Sequence, residues 1–203
     1  MGKEILYCVI AYLSGSVLYA PLLGKCFGVD PCEAGVDKNP GATNAFRCGG
    51  IVLGTLVLLG DFLKGFLPVF LLFEKTHSLR VILAIAPVAG HIFPLFFRFQ
   101  GGKGIATTFG VWSGLTYWVL PSILGSTFSA FLFLRYLATI ALPDHFVVTV
   151  GMLHLTGWAF FRYGYLYGFI AFCNSLLILF AHRHEWKRRH GSDVSSGDNL
   201  CPF

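Results

Sequence analysis

From Ile5 to Leu23 the chain runs 19 residues without a charge, close to the roughly 20 apolar residues that a helix needs to cross a bilayer. In hydrocarbon every backbone N–H and C=O must find its partner inside the segment, and a single run can do that only as a helix. Six further apolar stretches follow. The expected spans are 4–24, 50–73, 79–99, 104–120, 121–136, 141–160 and 164–182, with the division between the fourth and fifth resting on Pro121 alone. Charged residues make up 12% of the chain, about half of what a soluble domain carries.

The fold class that follows is an all-α integral membrane protein, a bundle of about seven transmembrane helices. Residues 1–190 form a single polytopic domain, and the polar, glycine-containing residues 191–203 a short disordered tail. Met1 to Glu4 is short and mixed in charge, unlike the n-region of a signal peptide, so the first span is expected to be retained. The six cysteines show neither a CxxC pair nor a metal-type spacing with histidine, and read as buried thiols or incidental loop residues.

Seven spans sort the loops by side. The side holding the tail receives Lys25, Lys38, Arg47, Arg98, Lys103, Arg135, Arg183, Lys187, Arg188 and Arg189; the other receives Lys3, Lys75, Arg80 and Arg162. Positive residues favour the cytoplasm, so the 24–49 loop, the 100–104 turn and the C-terminus are expected there. The net charge of +5 is spread over these flanks without a basic, aromatic-interleaved patch, which excludes nucleic acid as a partner.

Two loops on that side carry polar chemistry. Gly101-Gly102-Lys103-Gly104 separates two apolar runs, and Ile105 onward can start a helix whose first N–H groups point back at the turn. With the Lys103 ammonium this is a phosphate cradle, or else an ordinary turn between helices. It lacks the spacing of a nucleotide-binding P-loop. The earlier loop ends in KNPGATNAFR, where Asn39, Thr43 and Asn44 supply short polar groups, Gly41 close backbone approach and Arg47 a two-pronged donor. The same residues also suit a turn followed by a helix capped by Thr43 or Asn44. Asp61 and Lys64, three apart inside a span, share one helix face. They are either an interior ion pair or part of an anionic substrate site. His91 is either a packed interior histidine or the residue that orients the turn.

Read together, KNPGATNAFR and GHIFPLFFRFQGGKGIATTFG resemble the first and second signature motifs of the PlsY family, membrane acyl-phosphate:glycerol-3-phosphate acyltransferases. The family pattern is approximately GSGNxGATNxxR followed by GHxFPxFxxFxGGKGxAT. Asp61-Phe-Leu-Lys64-Gly65 matches a DxxKG element between them. The resemblance implies transfer of a fatty acyl group from acyl phosphate to the 1-hydroxyl of glycerol 3-phosphate, an early step of phospholipid biosynthesis in the bacterial cell (inner) membrane. It implies no metal or organic cofactor and leaves the oligomeric state open.

The same resemblance gives Lys103, His182 and Arg47 catalytic roles and directs Asn39, Gly41, Thr43, Asn44, Lys64, Gly101, Gly102, Gly104 and Thr107 to the substrate phosphates. Asp61, His91, Arg183 and Glu185 support them. Two motifs depart from the pattern. Val36-Asp37-Lys38 stands where Gly-Ser-Gly precedes the asparagine, and His182-Arg183-His184-Glu185 stands where the family reads His-Arg-Glu-Asn. An acidic Glu185 beside two phosphates opposes their binding. A binding-only relative with reduced turnover is therefore one alternative. A small-anion transporter using the same cations is another, and would place them near the midplane on broken helices.

Overall fold

The structure is a computed structural model and describes residues 1–32, 39–138 and 144–183. Glu185, the 191–203 tail and the departing residues 36–38 lie outside that set. Among the described residues eight α-helices and one 3-10 turn follow in order: α1 Gly2–Ser16, α2 Tyr19–Phe27, α3 Ala42–Leu72, α4 Arg80–Ile92, the 3-10 turn Leu95–Phe97, α5 Ile105–Thr116, α6 Val119–Ala138, α7 Asp144–Tyr163 and α8 Tyr165–Ala181. No strand occurs among the described residues.

Each of the seven expected spans holds a helix among the described residues, the first divided in two, while residues 141–143 at the start of the sixth lie outside that set. α1 and α2 meet at Val17 and Leu18, which are extended (φ −76°, ψ 117° and φ −95°, ψ 109°). Pro21 in the first turn of α2 suits a helix start, because its missing N–H would have no partner there. α3 bends at Gly50, whose φ of 68° and ψ of −164° only glycine adopts readily. The segment before the bend folds back, with the Phe46 ring lying against Gly54.

Three stretches, Gly2–Phe27, Ala42–Leu72 and Arg80–Phe97, are long and apolar enough to cross a membrane by themselves. α4, at 13 residues, is about 20 Å long and α5, at 12, about 18 Å. Both fall short of the ~30 Å hydrocarbon core. What places the turn that joins them is contact with α3: the first turn of α5 meets the middle of that helix at Gly65.

Small residues let the helices approach. Gly110 of α5 lies on the Phe62 carbonyl of α3, and Gly65 of α3 on the Thr107 carbonyl of α5. Gly15 of α1 lies on Pro87 of α4, and Gly90 on Tyr12. Backbone-to-backbone contact of this kind is how helices associate where lipid removes the hydrophobic drive. The core contains Trp112, Leu83, Leu155, Ile170 and Ile178. Leu59, Leu63, Phe70, Leu153 and Phe161 face outward, as lipid contact requires. Cys8, Cys26, Cys48 and Cys173 are free thiols, but Cys32 is disulfide-bonded, unlike the incidental thiol expected from spacing.

Candidate active site

The site begins with a buried ionic centre. Lys64 Nζ stands 2.7 Å from Asp61 Oδ1 and donates to the Val17 carbonyl at 2.6 Å. That carbonyl is at the α1–α2 break, where helix ending leaves it without an intrahelical partner. His91 Nδ1 stands 3.6 Å from the same Asp61 oxygen. All three side chains are nearly sealed, with 1–4% of their surface exposed. Ser14 Oγ donates to the Lys64 carbonyl at 3.1 Å and Tyr12 to the Phe93 carbonyl at 2.7 Å, fixing α1 to both neighbours.

The glycine turn rests on His91. Gly102 N donates to the His91 carbonyl at 3.1 Å. A Cβ on Gly102 would overlap His91 Nε2, and one on Gly101 the His91 carbonyl. The approach to the turn is tight: Arg98 and Phe99 both have positive φ (52° and 60°), held by Phe99 N donating to the Pro94 carbonyl at 2.9 Å. Gly104, at φ 78°, then starts α5. No side chain caps that helix, so its first amides lack intrahelical acceptors. Thr108 returns its hydroxyl to the Gly104 carbonyl at 2.9 Å, whereas the Thr107 hydroxyl is buried without a partner. Lys103 is half-buried and has an interaction partner.

The turn is level with Asp61, which lies ten residues beyond Ile51 and so about 15 Å inside the straight part of α3. Irregular backbone at such depth is tolerated where protein surrounds it or water fills a cavity beside it.

Two further groups complete the expected set. At the start of α3, Gly41 is the N-cap and no side chain caps the helix, so neither Thr43 nor Asn44 takes that role. Instead Asn44 Nδ2 donates to the Asn39 carbonyl at 2.9 Å, and Arg47 Nη1 to Asn44 Oδ1 at 3.1 Å. Thr43 and Arg47 are exposed. At the end of α8, His182 is buried, with Nδ1 2.8 Å from the Ile178 carbonyl. A carbonyl only accepts, so Nδ1 donates in this contact, and His182 has a further interaction partner. Ile178 also reaches Gly104, placing this helix end beside the turn. Arg183 lies over the Phe180 ring at 3.8 Å.

The structure thus brings Asp61, Lys64, His91, Gly101 and Gly102 together, sets Gly104 and His182 on adjoining helix ends, and links Asn39, Asn44 and Arg47 by hydrogen bonds to one another. Sequence reasoning missed Tyr12, Ser14 and the Val17 carbonyl. The Ser14-Gly15-Ser16 triplet, followed by Pro21, is the signal that marks the break.

Fold and turn together define a multi-pass helical membrane protein that holds a polar glycine turn below the ends of its longer helices. Residues 5–190 match the family model described as glycerol-3-phosphate acyltransferase. A glycerol-3-phosphate acyltransferase of Endomicrobium trichonymphae is 36% identical over 189 residues, covering 91% of each chain. Glycerol-3-phosphate acyltransferase 1 of Thermotoga maritima is 37% identical over 191 residues, covering 88% of this chain and 94% of its own. The crystal structure of PlsY (YgiH), an integral membrane glycerol 3-phosphate acyltransferase, superposes in its glycerol 3-phosphate form with a TM-score of 0.81, at 29% identity over 93% of this chain and 92% of that one. Its lysophosphatidic acid form gives 0.77. The chain belongs to the glycerol-3-phosphate acyltransferase family.

Proposed function

We propose that the protein transfers a fatty acyl group from acyl phosphate to the 1-hydroxyl of glycerol 3-phosphate, releasing lysophosphatidic acid and phosphate. Family membership supports the acceptor and the reaction type. The observation that carries the site is the start of α5: uncapped amides and the buried, unpartnered Thr107 hydroxyl stand directly after Gly101-Gly102-Lys103-Gly104. A helix N-terminus with free amides and an adjacent cation favours a phosphate group.

In this reading Lys103, Arg47 and the turn amides hold the two substrate phosphates, with Asn39, Gly41, Thr43 and Asn44 shaping the second loop around them. Each charge-assisted bond to a phosphate oxygen is stronger than a neutral one. Lys64, already bonded to Asp61 and Val17, belongs with the supporting residues. The glycerol oxygen attacks the acyl carbonyl carbon, the bond from that carbon to the phosphate oxygen breaks, and phosphate leaves with the electron pair. A mixed anhydride has so good a leaving group that no covalent serine or cysteine intermediate is needed. Holding the partners in line and stabilising the carbonyl oxyanion supply the rate. The hydroxyl proton passes to His182, whose ring is held by Nδ1 on the Ile178 carbonyl, or to a substrate phosphate.

The bacterial inner membrane, with the motif loops cytoplasmic, follows from the positive-residue distribution and from where soluble glycerol 3-phosphate is found. The break between α1 and α2 beside Lys64, and the position of the glycine turn against the middle of α3, are features that a small-anion transporter would share. Purified protein in vesicles separates the readings: acyl transfer from acyl phosphate without net phosphate flux supports the enzyme, and flux without transfer overturns it.

A further inference from the structure

Asp61, Lys64 and His91 are sealed from their surroundings, and the reaction outlined above gives none of them a contact with substrate. Yet they lie side by side, although His91 Nδ1 has no hydrogen-bond partner. Lys64 is fixed at one end by the Val17 carbonyl and at the other by Asp61. The oxygen that receives Lys64, Asp61 Oδ1, is also the one nearest His91 Nδ1. The opposite ring nitrogen of His91 is covered by Gly102, and its backbone carbonyl by Gly101 and the Gly102 N–H.

We propose that these three residues form a positioning unit for the glycine turn, with Lys64 as anchor, Asp61 as link and His91 as the surface on which Gly101 and Gly102 are shaped. The proposal deepens the functional reading and rests on it for the importance of the turn.

The physical case has three parts. A buried ammonium needs its donors answered, and the break in the first span provides a carbonyl that a continuous helix would have used internally. That makes the α1–α2 break a partner of α3. At 3.6 Å, His91 is beyond ordinary hydrogen-bond length from Asp61. The carboxylate therefore meets the ring by packing, and its own position is set by the ion pair with Lys64. Finally, the absence of a Cβ at two successive positions brings the turn's backbone onto His91 itself. A shift of the ring is passed to Lys103 and the start of α5 without an intervening flexible side chain.

A packing pair alone would contribute to stability and leave the folded turn unchanged. The double substitution Asp61→Asn with Lys64→Met separates the two roles, since it removes both charges without leaving either buried alone. The measurements are the melting midpoint in detergent, amide hydrogen exchange of the peptide containing residues 100–104, and kcat and KM for glycerol 3-phosphate. In the folded variant, whose midpoint falls by the loss of the Lys64 donor to Val17, a positioning unit gives turn exchange faster by at least about tenfold and kcat/KM lower by at least about tenfold. Wild-type exchange and kinetics in a folded double variant overturn it. Where that variant fails to fold, His91→Asn carries the test: faster turn exchange in a folded protein supports the unit, and unchanged exchange overturns it. Exchange needs no turnover, so failure of acyl transfer by the wild type would remove the functional reading and leave this test standing.

Discussion

Gly65 lies so close to the Thr107 carbonyl that a Cβ there has no room. This contact joins the middle of α3 to the first turn of α5, and Gly110 repeats it one turn along against the Phe62 carbonyl. The depth of the glycine turn is set by these close approaches. Gly110→Ala is expected to cost about 1–3 kcal/mol through overpacking, read as a lower melting midpoint in detergent. An unchanged midpoint would show that the two helices can separate freely.

Lys103 stands between Gly102 and Gly104, the second of which starts α5. Lys103→Ala is expected to lower kcat/KM by about 10² or more, the scale on which loss of one preorganised charge or donor acts. Insertion and melting midpoint should be retained. Wild-type turnover in this variant would remove Lys103 from the site.

His182 holds its Nδ1 on the Ile178 carbonyl. Asparagine can keep a donor near that carbonyl but has no basic nitrogen. His182→Asn is therefore expected to lower kcat by roughly 10²–10⁴ with little change in KM, the usual worth of a positioned base. Retained kcat would assign the proton to a substrate phosphate.

Glu4 accepts from the backbone N–H groups of Ser78 and Leu79, each at 3.0 Å, just ahead of α4. It supplies from α1 the cap that α4's own N-cap residue lacks. Glu4→Gln should lower the melting midpoint and leave the kinetics of the folded protein unchanged, since the contact is at the end of α4 opposite the turn. A kinetic defect at full stability would contradict this.

Much of this was legible in the sequence, because each apolar run exceeds what a soluble core helix needs and each motif is local. The pairing of Asp61 with Lys64 follows from helical spacing, and the choice of glycines at 101, 102 and 104 from the demands of a tight turn. The division at Val17 and Leu18 was not read. Neither residue breaks a helix, and the carbonyl freed there is taken by Lys64, 47 residues away. Periodicity carries no record of that contact. The seat of Gly102 on His91 is similarly non-local, and the alternatives for His91 could be separated only once the turn was seen folded back upon it. Thr43 and Asn44 fit a helix cap by type, yet Gly41 took the N-cap and Asn44 turned to Asn39 and Arg47. Residue type offers several local hydrogen bonds here, and the bend at Gly50 sets the segment in which they form.

The most direct measurement is acyl transfer by the detergent-purified protein, with acyl phosphate, acyl-CoA and acyl carrier protein offered separately to glycerol 3-phosphate without added metal. The account predicts lysophosphatidic acid from acyl phosphate alone. Product from acyl-CoA or acyl carrier protein instead, or no product from any donor in a protein shown to be folded, would contradict it.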